Sequence, residues 1–280
     1  MTLHLFTYGT DYVELHGLMQ SARISRCPIT YILATKWNGY IDKILKLREM
    51  IRNIPNNDVI CFVDAYDVLS FADENEILQK FLDYNCNLVI SAELNCYPVG
   101  RDKLYDAMYK KIGMDVPTKF KFVNSGGYIG YKHAIMDLFQ WKTDDKITQM
   151  SETAVGGDQN YFTEYFLANA PIASKKVKLD MNQQLFQSIY KVHYDELKFE
   201  SGRLYNKVLD VNPCFLHFNG YKGYHYLVEN METGEHVDVR KVLLDKMKLS
   251  FEKKINVSIS EYRSNYVNQF GGTTSHYPQL

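Results

Sequence analysis

Five cysteines in 280 residues, Cys27, Cys61, Cys86, Cys96 and Cys214, are odd in number, scattered and without a C-x-x-C pair. That spacing supports neither a disulfide framework nor a zinc site, and leaves mostly buried free thiols as the expectation. No apolar run approaches the roughly 18 to 20 residues that span a bilayer. Met1 to Thr10 also lacks the basic start and long apolar stretch of a signal peptide, so a soluble, unexported chain is expected. Neither charge is in excess: Lys+Arg 32 against Asp+Glu 33 gives a net charge of -1. Nucleic acid and anionic lipid would therefore find no global attraction. There is no G-x-G-x-x-G and no P-loop, which argues against a dinucleotide oxidoreductase or a P-loop NTPase. No internal repeat and no Pro/Ser/Gly linker divides the chain.

What is present is an ordinary globular composition, 46% hydrophobic and 23% charged, which excludes wholesale disorder. Tyrosine is abundant, 22 against two tryptophans, and suits surfaces that contact polar rings or peptides as well as strands and cores. The first half alternates short apolar runs with amphipathic ones, predicting an α/β fold with a mostly parallel central sheet flanked by helices. Strands are expected at Leu3 to Thr7, Ile29 to Ala34, Val59 to Val63 and Asn87 to Ser91. Helices are expected at Asp11 to Ile24, Tyr40 to Arg52, Glu74 to Leu82 and Arg101 to Ile112. Phe122 to Tyr131 reads as extended chain broken by a tight turn at Asn124-Ser125-Gly126-Gly127. Ala134 to Trp141 and Asp158 to Ala168 read as helices, with Val177 to Phe186 and Pro213 to Phe218 extended. Val239, Leu243, Met247 and Phe251 recur every fourth residue, as in an amphipathic helix that packs on its own domain or, alternatively, makes a dimer contact.

Chemistry concentrates where apolar runs end. Val59 to Val63 stops at Asp64 and Asp67, two acids beyond a strand's carboxyl end, where open α/β sheets place their ligands. A shared cation would explain the pair, and so would a helix cap or a solvated turn. Asn124 to Tyr128 offers a carboxamide, a hydroxyl and glycines that let a backbone approach closely. His217 ends another apolar run, beside Asn219, Gly220 and Lys222, and is a candidate third metal ligand or simply a packed ring. Asp158 and Gln159 open a helix, where an acid also serves as a cap. Together these residues suit an enzyme that uses a divalent cation to hold a diphosphate leaving group.

In order and spacing, Asp64-Ala65-Tyr66-Asp67-Val68-Leu69, Ser91-Ala92-Glu93, Tyr97-Pro98, Phe122 to Gly130, Asp158-Gln159, Leu179-Asp180, Phe186-Gln187 and His217-Phe218-Asn219-Gly220 resemble the glycosyltransferase domain of the multifunctional procollagen lysyl hydroxylases. The likeness runs from about Leu3 to Lys222. It implies one GT-A domain over 1–280, with a family-like core over 1–225 and an extension over 226–280 that carries the amphipathic helix. It further implies a stand-alone version of the kind that giant DNA viruses encode, acting in the host cytoplasm. The activity implied is transfer of glucose from UDP-glucose to galactosyl-hydroxylysine of collagen or a collagen-like protein, with retention and a manganese ion. By motif, Asp64, Asp67 and His217 would ligate the metal. Phe6, Thr7, Tyr8, Trp37, Lys43 and Tyr66 would hold uridine and ribose, and Asn219, Gly220 and Lys222 the diphosphate. Glu93, Asn124, Asp158 and Gln187 would face sugar and acceptor, under an aromatic lid at Tyr97. Three departures stand out: an acidic run before Asp158 is reduced to Gly156-Gly157, a tryptophan is replaced by Tyr97, and the lysine after the His217 turn is displaced to Lys222. Other readings are another UDP-sugar transferase, a metal-dependent phosphatase, or an inactive glycan- or collagen-binding module.

Overall fold

The computed structural model describes residues 1–153, 157–192, 196–220, 227–229, 236–238 and 240–250. The chain begins with β1 (Leu3–Gly9), α1 (His16–Ser25), β2 (Ile29–Leu33), α2 (Asp42–Met50), β3 (Val59–Val63) and β4 (Val68–Ser70). It continues with α3 (Glu74–Asp83), β5 (Leu88–Glu93), α4 (Asp102–Lys111), β6 (Phe122–Tyr131), α5 (Lys132–Phe139), α6 (Asp144–Thr153) and α7 (Gly157–Asn169). Short strands follow: β7 (Val177–Leu179), β8 (Phe186–Ser188), β9 (Leu197–Glu200), β10 (Arg203–Asn206), β11 (Phe215–His217), β12 (Leu227–Glu229) and β13 (His236–Asp238). A last helix, α8, covers 240–250.

Six strands form the central sheet in the order β2-β1-β3-β6-β5-β7. All are parallel except β6, which runs antiparallel to both β3 and β5. The expected mostly parallel α/β sheet is therefore present. Its centre is apolar on both faces because helices cover both. On β3, Ile60 and Phe62 join a core with Ile44 and Leu47 of α2, Ile135 and Leu138 of α5, and Tyr161 and Phe162 of α7. Val59, Cys61 and Val63 point the other way, onto Leu18 and Ala22 of α1 and Ile77 and Phe81 of α3. A smaller sheet, β4-β11-β8, extends from the end of β3. Leu243, Leu244 and Met247 of α8 pack against its Leu69 and Leu216. Leu243 and Met247 of the fourfold apolar spacing thus close the helix on its own fold, while Val239 and Phe251 lie outside the described residues. Cys27, Cys61, Cys86 and Cys214 are buried free thiols, and Cys96 is half-buried and free.

One local expectation changes, and one helix is not among those expected. Phe122 to Tyr131 is one strand rather than two arms of a turn: Val63 pairs with Gly127, and Asp64 N–H donates to the Gly126 carbonyl. The glycine-containing stretch instead makes a bulge against β5, between the Ile90–Tyr128 and Ala92–Val123 pairs. Helix α6 has no apolar stripe to announce it; Ile147 is fully buried, and Arg48 grips Asp144 of its first turn through two bonds of 2.6 and 2.7 Å.

Candidate active site

The end of β3 carries Asp64 and Asp67, and register brings the third group. Strand β11 runs antiparallel to β4 with His217 opposite Val68, so the imidazole arrives one residue beyond Asp67 although 150 residues separate them. Phe218 N–H on the Asp67 carbonyl, at 2.8 Å, holds that register. His217 Nε2 lies 3.2 Å from Asp67 Oδ2 and 3.9 Å from Asp64 Oδ2. One ligand atom from each of the three residues falls within 4.8 Å of the others. The ring is buried, and its Nδ1 has no hydrogen-bond partner among the described residues.

Gly126 makes the close approach possible. A Cβ at that position would stand 2.1 Å from His217 Cε1 and 2.8 Å from Asp64 Oδ2. Two carboxylate oxygens and an imidazole nitrogen converging beside such a cradle fit a divalent first-row ion. Within the group the charges compensate one another. Burial alone would push the His217 imidazole down, but the Asp67 and then the Asp64 carboxylates hold it above its ordinary range. Asp67 is opposed by burial and yet lies below the usual carboxylate range because His217 faces it. Asp64 is raised by burial, which Lys43 offsets only in part.

Lys43, from the first turn of α2, is closed between two carboxylates. Its ammonium is buried between Asp64 Oδ1 at 2.8 Å and Asp158 Oδ2 at 2.6 Å, above the Phe62 ring. Burial would lower its pKa, and the two carboxylates more than reverse that. Asp158, a cap or a residue facing sugar and acceptor on the sequence, is 4% exposed and paired with Lys43. The sequence offered no sign of this because Lys43 and Asp158 sit on different helices.

Glu93 closes the far side at the end of β5. Gln159 Nε2 donates to its Oε1 at 2.6 Å, Asn124 Nδ2 donates at 3.3 Å, and Asn219 Nδ2 donates to Oε2 at 2.9 Å. Burial outweighs these three donors and pushes the carboxyl up to about 7. Asn219 also accepts from the Ile189 and Tyr190 amides at 2.9 and 3.1 Å. Its side chain thereby braces Glu93; the adjacent Gly220 takes φ 111°. Asn124 is braced similarly, its Oδ1 accepting from Gly126 N–H at 3.0 Å. Gln159 was legible as half of the Asp-Gln pair, but its role had not been assigned. Lys222 lies outside the described residues.

The remaining candidates divide. Gln187 does not reach this group: it is fully buried, aligned with Leu216 instead of His217, and its amide accepts from Asn206 at 2.7 Å and donates to the Ser188 carbonyl at 2.9 Å. The Phe6 ring is core, Thr7 is fully buried, and the Tyr8 hydroxyl donates to Asp42. Trp37 and Tyr97 are exposed at 43% and 39%. Trp37 packs its ring 6.1 Å from Tyr8, and the Tyr97 carbonyl accepts from Gln159 at 3.3 Å. The Tyr66 hydroxyl accepts from the Asp11 amide at 3.0 Å and so fixes the turn after β1.

Acids and a histidine gathered at the carboxyl edge of an α/β sheet, with amide side chains around a buried glutamate, have the make-up of an enzyme's site. Residues 33–231 match the family model described as PLOD GT domain, and the chain belongs to that family. It is 30% identical over 195 residues to the uncharacterized protein R699 of Acanthamoeba polyphaga mimivirus, covering 66% of this chain and 38% of that protein. Over 234 residues it is 29% identical to procollagen-lysine,2-oxoglutarate 5-dioxygenase of Drosophila melanogaster, covering 78% of this chain and 30% of that one. The human multifunctional procollagen lysine hydroxylase and glycosyltransferase LH3 is 30% identical over 181 residues, 62% of this chain and 22% of its own length. The chain thus spans well under half the length of each of these relatives. Among the described residues no helix is long and apolar enough to cross a membrane.

Proposed function

We propose that this chain is a glycosyltransferase and moves glucose from UDP-glucose to galactosyl-hydroxylysine of collagen or a collagen-like protein, with retention and with manganese held by Asp64, Asp67 and His217. The observation that carries the reading is the convergence of those three side chains on the Gly126 cradle. The likeness to proteins whose names include procollagen lysine hydroxylase and glycosyltransferase supplies the acceptor. Bound there, manganese supplies positive charge to offset the charge that builds on the departing diphosphate.

The protein's own groups divide the remaining work. Asp158 is neutralised by Lys43, so its contribution is to fix the start of α7 beside Asp64. Glu93, with no salt-bridge partner among the described residues and three amide donors, is the carboxylate available to face a cation-like anomeric carbon. With retention, the acceptor hydroxyl arrives on the leaving group's own face, and its proton passes to the leaving phosphate oxygen. Asn124 and Asn219 keep Glu93 aimed while their other ends are tied to backbone amides.

The test is UDP release across UDP-glucose, UDP-galactose and UDP-N-acetylglucosamine, with and without galactosyl-hydroxylysine collagen peptide and with and without EDTA. UDP-glucose should be the best donor, the acceptor should accelerate release, and EDTA should abolish it. Equal rates with UDP-galactose would refute the glucose assignment. Acceptor binding without UDP release would refute the catalytic one.

A further inference from the structure

Helix α8 lies beyond residues 33–231, which match the family model, yet it reaches the turn that carries the two aspartates. Its opening residue, Arg240, is half-buried, and its Nη1 donates to the Tyr66 carbonyl. The arginine stem runs past α1, where a Cβ on Gly17 would lie 3.9 Å from Arg240 Cδ and 3.7 Å from Leu69 Cδ2. Tyr66 stands between Asp64 and Asp67, and its carbonyl belongs to the peptide that leads into Asp67. The peptide that leaves Asp67 is tied as well, since Phe218 N–H donates to the Asp67 carbonyl at 2.8 Å. Asp67 is therefore bonded on both sides, by a guanidinium from α8 before it and by the residue after β11 beyond it, while its Oδ2 meets His217 at 3.2 Å. Apolar packing reinforces the hold, because successive residues of a strand face opposite sides. Leu69 and Leu216 turn to Leu243, Leu244 and Met247 of α8, whereas Val68 and Phe215 belong to the core with α1 and α3. His217, next to Leu216 on β11, faces away from the helix.

We propose that Arg240 is a positioning residue for the metal group: its bond to the Tyr66 carbonyl fixes the peptide plane from which Asp67 departs, and so aims that carboxylate at the ion shared with Asp64 and His217. This rests on the metal reading above. Arg240 acts through the backbone rather than as a ligand. A guanidinium suits that task, since it keeps its charge and its bond to a carbonyl is charge-assisted, hence stronger than one between neutral groups.

The experiment titrates manganese by calorimetry, without donor, into wild type, Arg240→Met, Arg240→Lys and Leu243→Ala, and records the metal-free melting temperatures of the same preparations. Methionine keeps an unbranched stem and removes the donor, and lysine restores a single one. Arg240→Met should weaken manganese binding about ten-fold, the scale for losing a residue that orients a metal ligand, and Arg240→Lys should recover most of that loss. Leu243→Ala opens a cavity under the same helix and leaves the donor in place, so it should lower the melting temperature more than Arg240→Met and weaken manganese less. Wild-type manganese affinity in Arg240→Met would overturn this inference alone. So would an Arg240→Lys protein that binds no better than Arg240→Met, or a Leu243→Ala protein that loses as much affinity, since α8 would then act only by its packing. No manganese binding by wild type would overturn the parent metal reading, and this one with it.

Discussion

Gly126→Ala adds one methyl group at the most crowded point of the proposed metal cradle. Its Cβ would sit 2.1 Å from His217 Cε1, where ordinary contact begins at 3.4 Å, so the imidazole must retreat by more than an ångström. The ring has little room: it is 5% exposed on β11, with the Asp67 carbonyl tied to the next amide. The backbone is not the obstacle, since Gly126 is not among the positive-φ glycines. Overpacking of this kind costs about 1–3 kcal/mol, and turning a metal ligand aside costs about 10- to 100-fold in metal affinity. Gly127→Ala is the matched control, because its Cβ would meet the Phe186 ring at 2.7 Å, on the core side. Manganese titration by calorimetry without donor, with urea denaturation of the same proteins, separates the two effects. Gly126→Ala should lose both stability and manganese affinity, and Gly127→Ala stability alone. Wild-type manganese affinity in Gly126→Ala would refute the argument that this glycine makes room for the ligand.

Other expectations follow from the paired charges. Glu93 is raised by burial to about 7 from 4.5, so the native state binds more protons than the unfolded chain between those values. Stability should then fall as pH rises through that window, by about 3 kcal/mol in the metal-free protein. Glu93→Gln should flatten the difference in unfolding free energy between pH 5 and 8, and a variant with the wild-type slope would assign the dependence elsewhere. Asp158→Asn leaves Lys43 with one partner, and breaking a buried pair costs about 3 kcal/mol or more; denaturation with an unchanged midpoint would contradict the pairing. Asp64→Ala removes a metal ligand and the second partner of Lys43, so UDP release should vanish and manganese should no longer raise the melting temperature.

Much of this protein could be read along the chain. Val59 to Val63 announced a buried central strand because a strand covered on both faces has no polar positions. The fourfold spacing of Leu243 and Met247 announced a helix that buries one stripe. Asp64, Asp67 and His217 each stood at the end of an apolar run, which is where such a sheet ends and its ligands begin. Local pattern could not reveal which groups pair across the sheet, because those contacts depend on register and helix packing. Lys43 reads as one charge on an amphipathic helix until α2 packs beside α7 and the lysine is closed between Asp64 and Asp158. Gln187 carries the same polar side chain whichever way it points, and its alignment with Leu216 turns it away from the cleft. The Asn124 to Gly127 stretch has turn composition, and only its pairing with Val63 and its bulge against β5 make it a strand that passes under a histidine. Sequence determined which residues could carry charge or come close. Tertiary structure decided which charge each one meets, because burial and register set that distance.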